Sequence, residues 1–230
     1  MTVPEDNDRA QGVESLYPFL YAGQSNLEDV LEQVRRSTVE KAMEIVALRD
    51  EVLERDGERL VACAESMARS FAGGGKLLAF GNGGSSTDAH DVATTFLHPE
   101  DGGRPLSALS LTGDIAVVTA LSNDIGFEVV FARQIAAFGR QGDIAMGLST
   151  SGSSENLIRA FDEASRRGLV TVGLAGYEGG KMAEVDTIDY LFVVPSSSVH
   201  RIQEAQTTVY HVLWELTQRA LEEMGAAAPA

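Results

Sequence analysis

The sequence predicts an α/β protein: a doubly wound, mostly parallel five-stranded sheet flanked by helices, preceded by an N-terminal helical arm. Three observations carry this. From Lys76 onward, short apolar runs alternate with longer amphipathic segments of helical spacing. Two of the runs end in glycine- and hydroxyl-rich loops, Gly81–Ser85 and Ser149–Ser154, and each loop leads into a helical pattern. Before Lys76 the apolar residues recur at helical spacing only.

The elements follow in order. Residues 1 to about 13 are polar and aperiodic, the composition of a disordered segment. Leu16, Tyr17, Phe19 and Leu20 surround Pro18 and suit packing against a core or a partner subunit. Ser25-Asn26-Leu27-Glu28 reads as a capping box. Leu27, Val30, Leu31 and Val34, then Val39, Ala42, Met43 and Val46, give one long helix or two with a bend near Ser37-Thr38. A further helix is expected from Glu58 to Phe71, stopped by Gly73-Gly74-Gly75. Leu77 to Phe80 is a buried strand, and a helix is expected from Asp88 to Leu97. Ser107–Leu111, Asp143–Leu148, Leu169–Leu174 and Ile188–Val194 are the remaining strands. Helices fall around Ile115–Leu121, Phe127–Phe138 and Leu157–Ala164, and a long final helix runs from Val199 to Met224. This divides the chain into a flexible extension (1–24), a helical arm suited to oligomerisation (25–57), one domain (58–224) and a frayed tail (225–230).

Composition narrows the function. The net charge is −16, from 34 acidic and 18 basic residues, and the adjacent basic residues occur only as pairs such as Arg35-Arg36 and Arg166-Arg167. Nucleic acid binding needs a basic patch that this chain lacks. An acidic protein still binds an anionic metabolite where local N–H groups and helix dipoles dominate. Cys63 is the single cysteine, so no internal disulfide forms; it reads as a small apolar residue on a buried helix face. No apolar run approaches the ~18 residues of a membrane span. Met1 to Ala10 is unlike a signal peptide. A cytoplasmic protein with neither membrane nor nucleic acid partners is the expectation.

The chemistry concentrates in the two loops. A strand, a glycine turn and residues that start a helix bring free N–H groups and the positive end of a helix dipole into one concavity. Alone, the Gly81–Ser85 loop is equally compatible with a tight turn that needs glycine for steric reasons. If both strands are central, however, both loops rim the same crevice at the carboxyl ends of the sheet. The first loop lacks the G-x-G-x-x-G spacing and there is no Walker sequence, so no nucleotide cofactor is expected.

With both loops in view, the chain resembles the sugar isomerase (SIS) domain family, and within it the phosphoheptose (sedoheptulose 7-phosphate) isomerases. The resemblance spans about residues 58 to 222. It rests on Gly81-Asn82-Gly83-Gly84-Ser85, Ser122 to Phe127, Gly142-Asp143, Ser149-Thr150-Ser151-Gly152, Gly179 to Ala183 and Arg201-Ile202-Gln203-Glu204, in this order. The resemblance implies an aldose–ketose isomerase working through an enediol, in a homotetramer whose sites lie near subunit interfaces. It implies a sugar phosphate site lined by Asn82, Gly83, Gly84 and Ser85. Ser149, Thr150, Ser151 and Ser154 would hold the phosphate, and Asn123 and Asp124 would contact the sugar end. Gln203 and His211 would complete the site from the last helix, Gln203 also as a zinc ligand and His211 in proton transfer. Without a family, His211 reads as a helix-face histidine beside Thr208 and Trp214.

The chain departs from the family on the helix after the first loop. The resemblance implies a histidine ligand and a glutamate base at the positions of Asp91 and Thr95. A threonine hydroxyl is not ionised near neutral pH and cannot replace the base. Asp91 is then a substitute base, or an oxygen ligand completing a zinc set with Gln203 and His211. Glu204 and His98 are further candidates for a relocated base. Three readings stay open at this point: an active isomerase with a relocated base, a phosphosugar-binding protein without turnover, and a protein scaffold similar to the replication-initiator-binding relatives. His90 lies off the Asp91 face of its helix and reads as a surface or packing residue.

Overall fold

The computed structural model describes residues 27–99 and 102–227. Ser25 and Asn26 of the capping box, the apolar stretch from Leu16 to Tyr21 and the last three residues lie outside them. Two compact units divide at Glu44 and Ile45. The first is helical throughout its described residues. The second holds the sheet and all of the candidate site.

Helix α1 (Leu27–Ala72) is continuous, where the sequence suggested a second helix beginning at Glu58. Gly57 sits inside it; one glycine costs about 1 kcal/mol and does not end a helix. Then follow β1 (Leu77–Gly81), α2 (Gly84–Leu97), β2 (Ala108–Ser110), α3 (Ile115–Asp124), α4 (Val130–Phe138), β3 (Ile144–Leu148), α5 (Glu155–Arg166), β4 (Val170–Gly176), β5 (Tyr190–Val194) and α6 (Val199–Ala227). The five strands pair in the order β2-β1-β3-β4-β5, all parallel. The strands and most helices fall where the alternation places them.

Both faces of the sheet are covered, which is why its central strands read as unbroken apolar runs. Leu77 and Ala79 pack with Met67 of α1, Phe96 of α2 and Leu213 of α6 on one side. Leu78 and Phe80 pack with Phe131 of α4 and Phe161 of α5 on the other. Cys63 is fully buried in the first of these layers, and burial pushes its thiol well above the ordinary range, so it is inert packing. The second layer closes tightly because Gly147 leaves room: a Cβ there would stand 2.5 Å from Phe161 and 2.7 Å from Phe80.

At the other end of the strands, Asp143 ties β1 to β3. It accepts the Lys76 ammonium at 2.6 Å and the backbone N–H groups of Lys76 and Arg140, each at 2.9 Å. The chain leaves β1 for β2 on one side and returns to β3 on the other. The two loops therefore flank the topological switch point, where open α/β sheets bind ligands.

Candidate active site

The first loop turns more sharply than the sequence suggested. Helix α2 starts at Gly84, not Asp88. Gly83 reverses the backbone at φ 55°, in the region that favours glycine. The amides of Ser85 and Ser86 then bond back to the carbonyls of Asn82 and Gly83, each at 3.0 Å. The hydroxyl residues that looked like caps thus form the first helical turn. Ser85 is buried, and the Ser86 hydroxyl donates to the Gly83 carbonyl.

The second loop is pinned from two sides. The Ser149 hydroxyl accepts the Gly152 N–H at 3.0 Å, and the Ser149 carbonyl accepts the Gln206 side-chain amide of α6 at 3.0 Å. The Gly152 carbonyl accepts the Met182 N–H at 2.8 Å. Ser154 stands at the N-cap of α5, yet its side chain makes no capping bond. Its hydroxyl is therefore not committed to the helix it precedes.

The two loops meet. The side-chain amides of Asn82 and Asn156 exchange reciprocal hydrogen bonds, both 2.9 Å long. Ser151 lines a cleft with Tyr177, Glu178, Gly180, Ser196 and Ser197, at the carboxyl ends of β3, β4 and β5.

Helices α2 and α6 form the other wall. Gln203 lies against the loop so closely that a Cβ on Gly84 would stand 2.5 Å from its amide nitrogen. That nitrogen donates to Asp88 at 3.0 Å. Burial raises the Asp88 carboxyl above its ordinary value; the Gln203 bond works against this, and the nearby Asp91 adds to it. One turn along α2, the Asp91 carboxylate oxygen Oδ2 accepts the Tyr210 hydroxyl at 2.6 Å and lies 3.7 Å from His211 Nε2. Both Asp91 and His211 are half-exposed, so the pair opens to solvent and to a ligand. Tyr210 is buried, and its hydroxyl is held protonated well above the ordinary phenol range, by burial first and by its bond to Asp91 second.

Not every sequence-proposed residue joins this group. Asn123 and Asp124 end α3, are exposed, and among the described residues share one bond, with each other, at 2.9 Å. Glu204 is engaged by Arg201 at 2.5 Å, one turn away on α6. Helix α2 stops at Leu97, so His98 is its C-cap and does not extend the Asp91 face. It lines an outer groove with His90, Leu97 and Leu109 beside the edge strand β2. Thr95 is half-buried where the base was expected.

Zinc takes four N, S or O donors in a tetrahedral arrangement. Among the described residues no three His, Cys, Asp or Glu side chains stand together closely enough to hold a metal ion. Asp91 and His211 stand 3.7 Å apart, and one Asp91 oxygen accepts the Tyr210 hydroxyl. The described His, Cys, Asp and Glu side chains thus bring at most two such donors together here, short of the four that zinc takes. No step below runs through a metal.

Comparison with known proteins bears on this geometry. A model of the SIS domain matches residues 42–176. A phosphoheptose isomerase from Thermodesulfovibrio yellowstonii is 41% identical over 185 residues, 80% of this chain and 91% of that protein. One from a Roseiflexus species is 45% identical over 174 residues, 74% of this chain and 86% of that protein. The chain belongs to the phosphoheptose isomerase family. The solved phosphoheptose isomerase GmhA from Neisseria gonorrhoeae has the same fold, with a TM-score of 0.73 at 35% identity over 81% of this chain and 99% of that one.

Within this phosphoheptose isomerase frame, sequence reasoning missed four residues. Asn156 joins the loops, Gln206 holds the second loop, Tyr210 reaches Asp91, and Tyr177 takes a left-handed backbone (φ 51°) beside the cleft. Only Tyr177 had a local signal, the glycine-rich turn that contains it. The others are helix residues whose roles depend on which strand end they face.

Proposed function

We propose that this protein interconverts the ketose and aldose forms of a phosphorylated sugar, with sedoheptulose 7-phosphate as substrate, through an enediol. Family membership carries the reaction class. The observation that supports the site assignment is that the two loops meet at the switch point and that α6 reaches the first of them through Gln203, with the Asp91–His211 pair one turn beyond Asp88 on α2. Ser149, Thr150, Ser151 and Ser154 take the phosphate through hydroxyl and N–H donors, and the Gly83–Ser85 turn forms the facing wall. Holding the substrate this way supplies several kcal/mol of the barrier as prepaid orientation (up to ~7–11 kcal/mol in well-aligned systems).

The reaction asks for two protons to move, one from C1 to C2 and one from O1 to O2. A base takes a proton from C1 of the ketose, the C–H electrons form the C1–C2 double bond, and O2 gains a proton. The enediol then loses the O1 proton as the C1 carbonyl forms, and C2 takes a proton. We assign this transfer to the Asp91–His211 pair. An imidazole can both accept and return a proton, which suits this transfer. The carboxylate 3.7 Å away stabilises its cationic form.

A homotetramer in the cytoplasm belongs to the same proposal. Val30, Leu31, Val34, Val39 and Met43 are exposed on α1, apolar surface suited to a partner subunit. No helix among the described residues is long and apolar enough to cross a membrane. Light scattering on the purified protein tests the assembly. The activity test is purified protein with sedoheptulose 7-phosphate, followed by NMR. Appearance of the aldose heptose phosphate is expected. Saturable binding without turnover, or capture of a protein partner without any sugar phosphate binding, counts against it.

A further inference from the structure

We propose that Tyr210 is a positioning residue for the reaction: its hydroxyl clamps Asp91 and so holds the carboxylate against His211. This rests on the isomerase reading given above. Asp91 has its side chain 51% exposed. A short carboxylate on an open helix face samples several rotamers unless something fixes it. The fixing group here comes from beneath. Tyr210 is 1% exposed, so its ring is set by the core around it. Its hydroxyl emerges at the boundary of the core and meets Asp91 Oδ2 at 2.6 Å, the short length of a charge-assisted bond. The same oxygen lies 3.7 Å from His211 Nε2.

The sequence makes this arrangement by adjacency. Consecutive helix residues point about 100° apart, so one buries while its neighbour faces solvent. Tyr210 and His211 therefore approach Asp91 from the core side and the solvent side, with ring centroids 5.0 Å apart. Thr207, one turn earlier on α6, stands 3.4 Å from the Tyr210 hydroxyl and helps orient it. Asp91 lies on the Nε2 side of the His211 ring, 3.7 Å away. Tyr210 thus acts through Asp91 and touches no reacting atom.

The test is a double-mutant cycle with Tyr210→Phe and Asp91→Asn. Tyr210→Phe keeps the ring and removes only the hydroxyl. Its kcat is expected to fall about tenfold, with KM within twofold of wild type. In the Asp91→Asn background the same change is expected to cost less than twofold, because the group that it positions is already impaired. An equal loss of kcat in both backgrounds overturns the proposal and leaves Tyr210 as core packing. A second readout needs no turnover: a downfield hydroxyl proton resonance in the wild-type NMR spectrum, lost in Tyr210→Phe and displaced in Asp91→Asn. An active wild type without that resonance refutes the clamp alone. An inactive wild type that shows it refutes the isomerase reading, and with it the catalytic role of Tyr210.

Discussion

Gly84→Ala separates the site from the fold. A Cβ built on Gly84 stands 2.5 Å from the Gln203 amide nitrogen, 3.1 Å from its oxygen and 3.2 Å from Cδ. All three atoms are at the end of a flexible side chain, so Gln203 swings away and the backbone stays. The loss is the bond from Gln203 to Asp88, about 1.5–3 kcal/mol for a hydrogen bond to a charged group. Replacing glycine in a helix returns about 1 kcal/mol. The net loss of stability is therefore about 0.5–2 kcal/mol, within what a domain of this size tolerates. Phosphosugar affinity should fall about 10- to 100-fold, because Gln203 no longer lines the loop. Gly83→Ala is the control: no atom lies within 4 Å of its Cβ, but the φ of 55° strains any other residue. It should lose about 1–3 kcal/mol of stability. Urea denaturation and calorimetric titration of both variants read the two effects. A Gly84→Ala protein that binds the phosphosugar like wild type would refute the placement of Gln203 in the site.

Other expectations follow from single contacts. Ser154→Ala should leave stability within about 0.5 kcal/mol, since the hydroxyl makes no capping bond, yet weaken phosphosugar binding by about 1–3 kcal/mol; equal loss in both would mean that Ser154 is a cap after all. Asp143→Ala should cost about 3–5 kcal/mol in urea unfolding, because it strands Lys76 and two backbone donors, while the folded fraction keeps its turnover per molecule. The bond from Arg166, and then that from Arg167, hold the Glu163 carboxyl below its ordinary value. Its stabilisation is thus present above the unfolded-state pKa of about 4.3 and is lost as pH falls through the folded value. Glu163→Gln should unfold about 1 kcal/mol more easily at pH 7, and the gap from wild type should close on acidification. Chelation should leave turnover within twofold of the untreated enzyme, and a loss that zinc restores would contradict the donor-set argument.

The fold was legible because both faces of the sheet are covered: Leu77 to Phe80 and Ile144 to Leu148 had to be continuous apolar runs, and the glycines after them had to be turns. The boundaries that slipped did so for local reasons. Ser85 to Asp88 have the chemistry of caps, but Gly83 supplies the turn before them, so the helix begins early. A separate helix was expected from Glu58, but α1 runs on through Gly57, where packing on one side of the helix outweighs one poor helix former. In the site, residues that act through loops were visible as motifs. Residues that act from helices, such as Tyr210 and Asn156, carry no motif, because their partners lie 119 and 74 positions away.

The central claim is that this protein isomerises a phosphosugar by proton transfer through the Asp91–His211 pair. Incubation with sedoheptulose 7-phosphate in deuterium oxide tests it most directly. The account predicts an aldose product that carries solvent deuterium at C2, formed by wild type and lost in His211→Ala. Wild-type protein that forms no aldose and exchanges no hydrogen at C1 would contradict it.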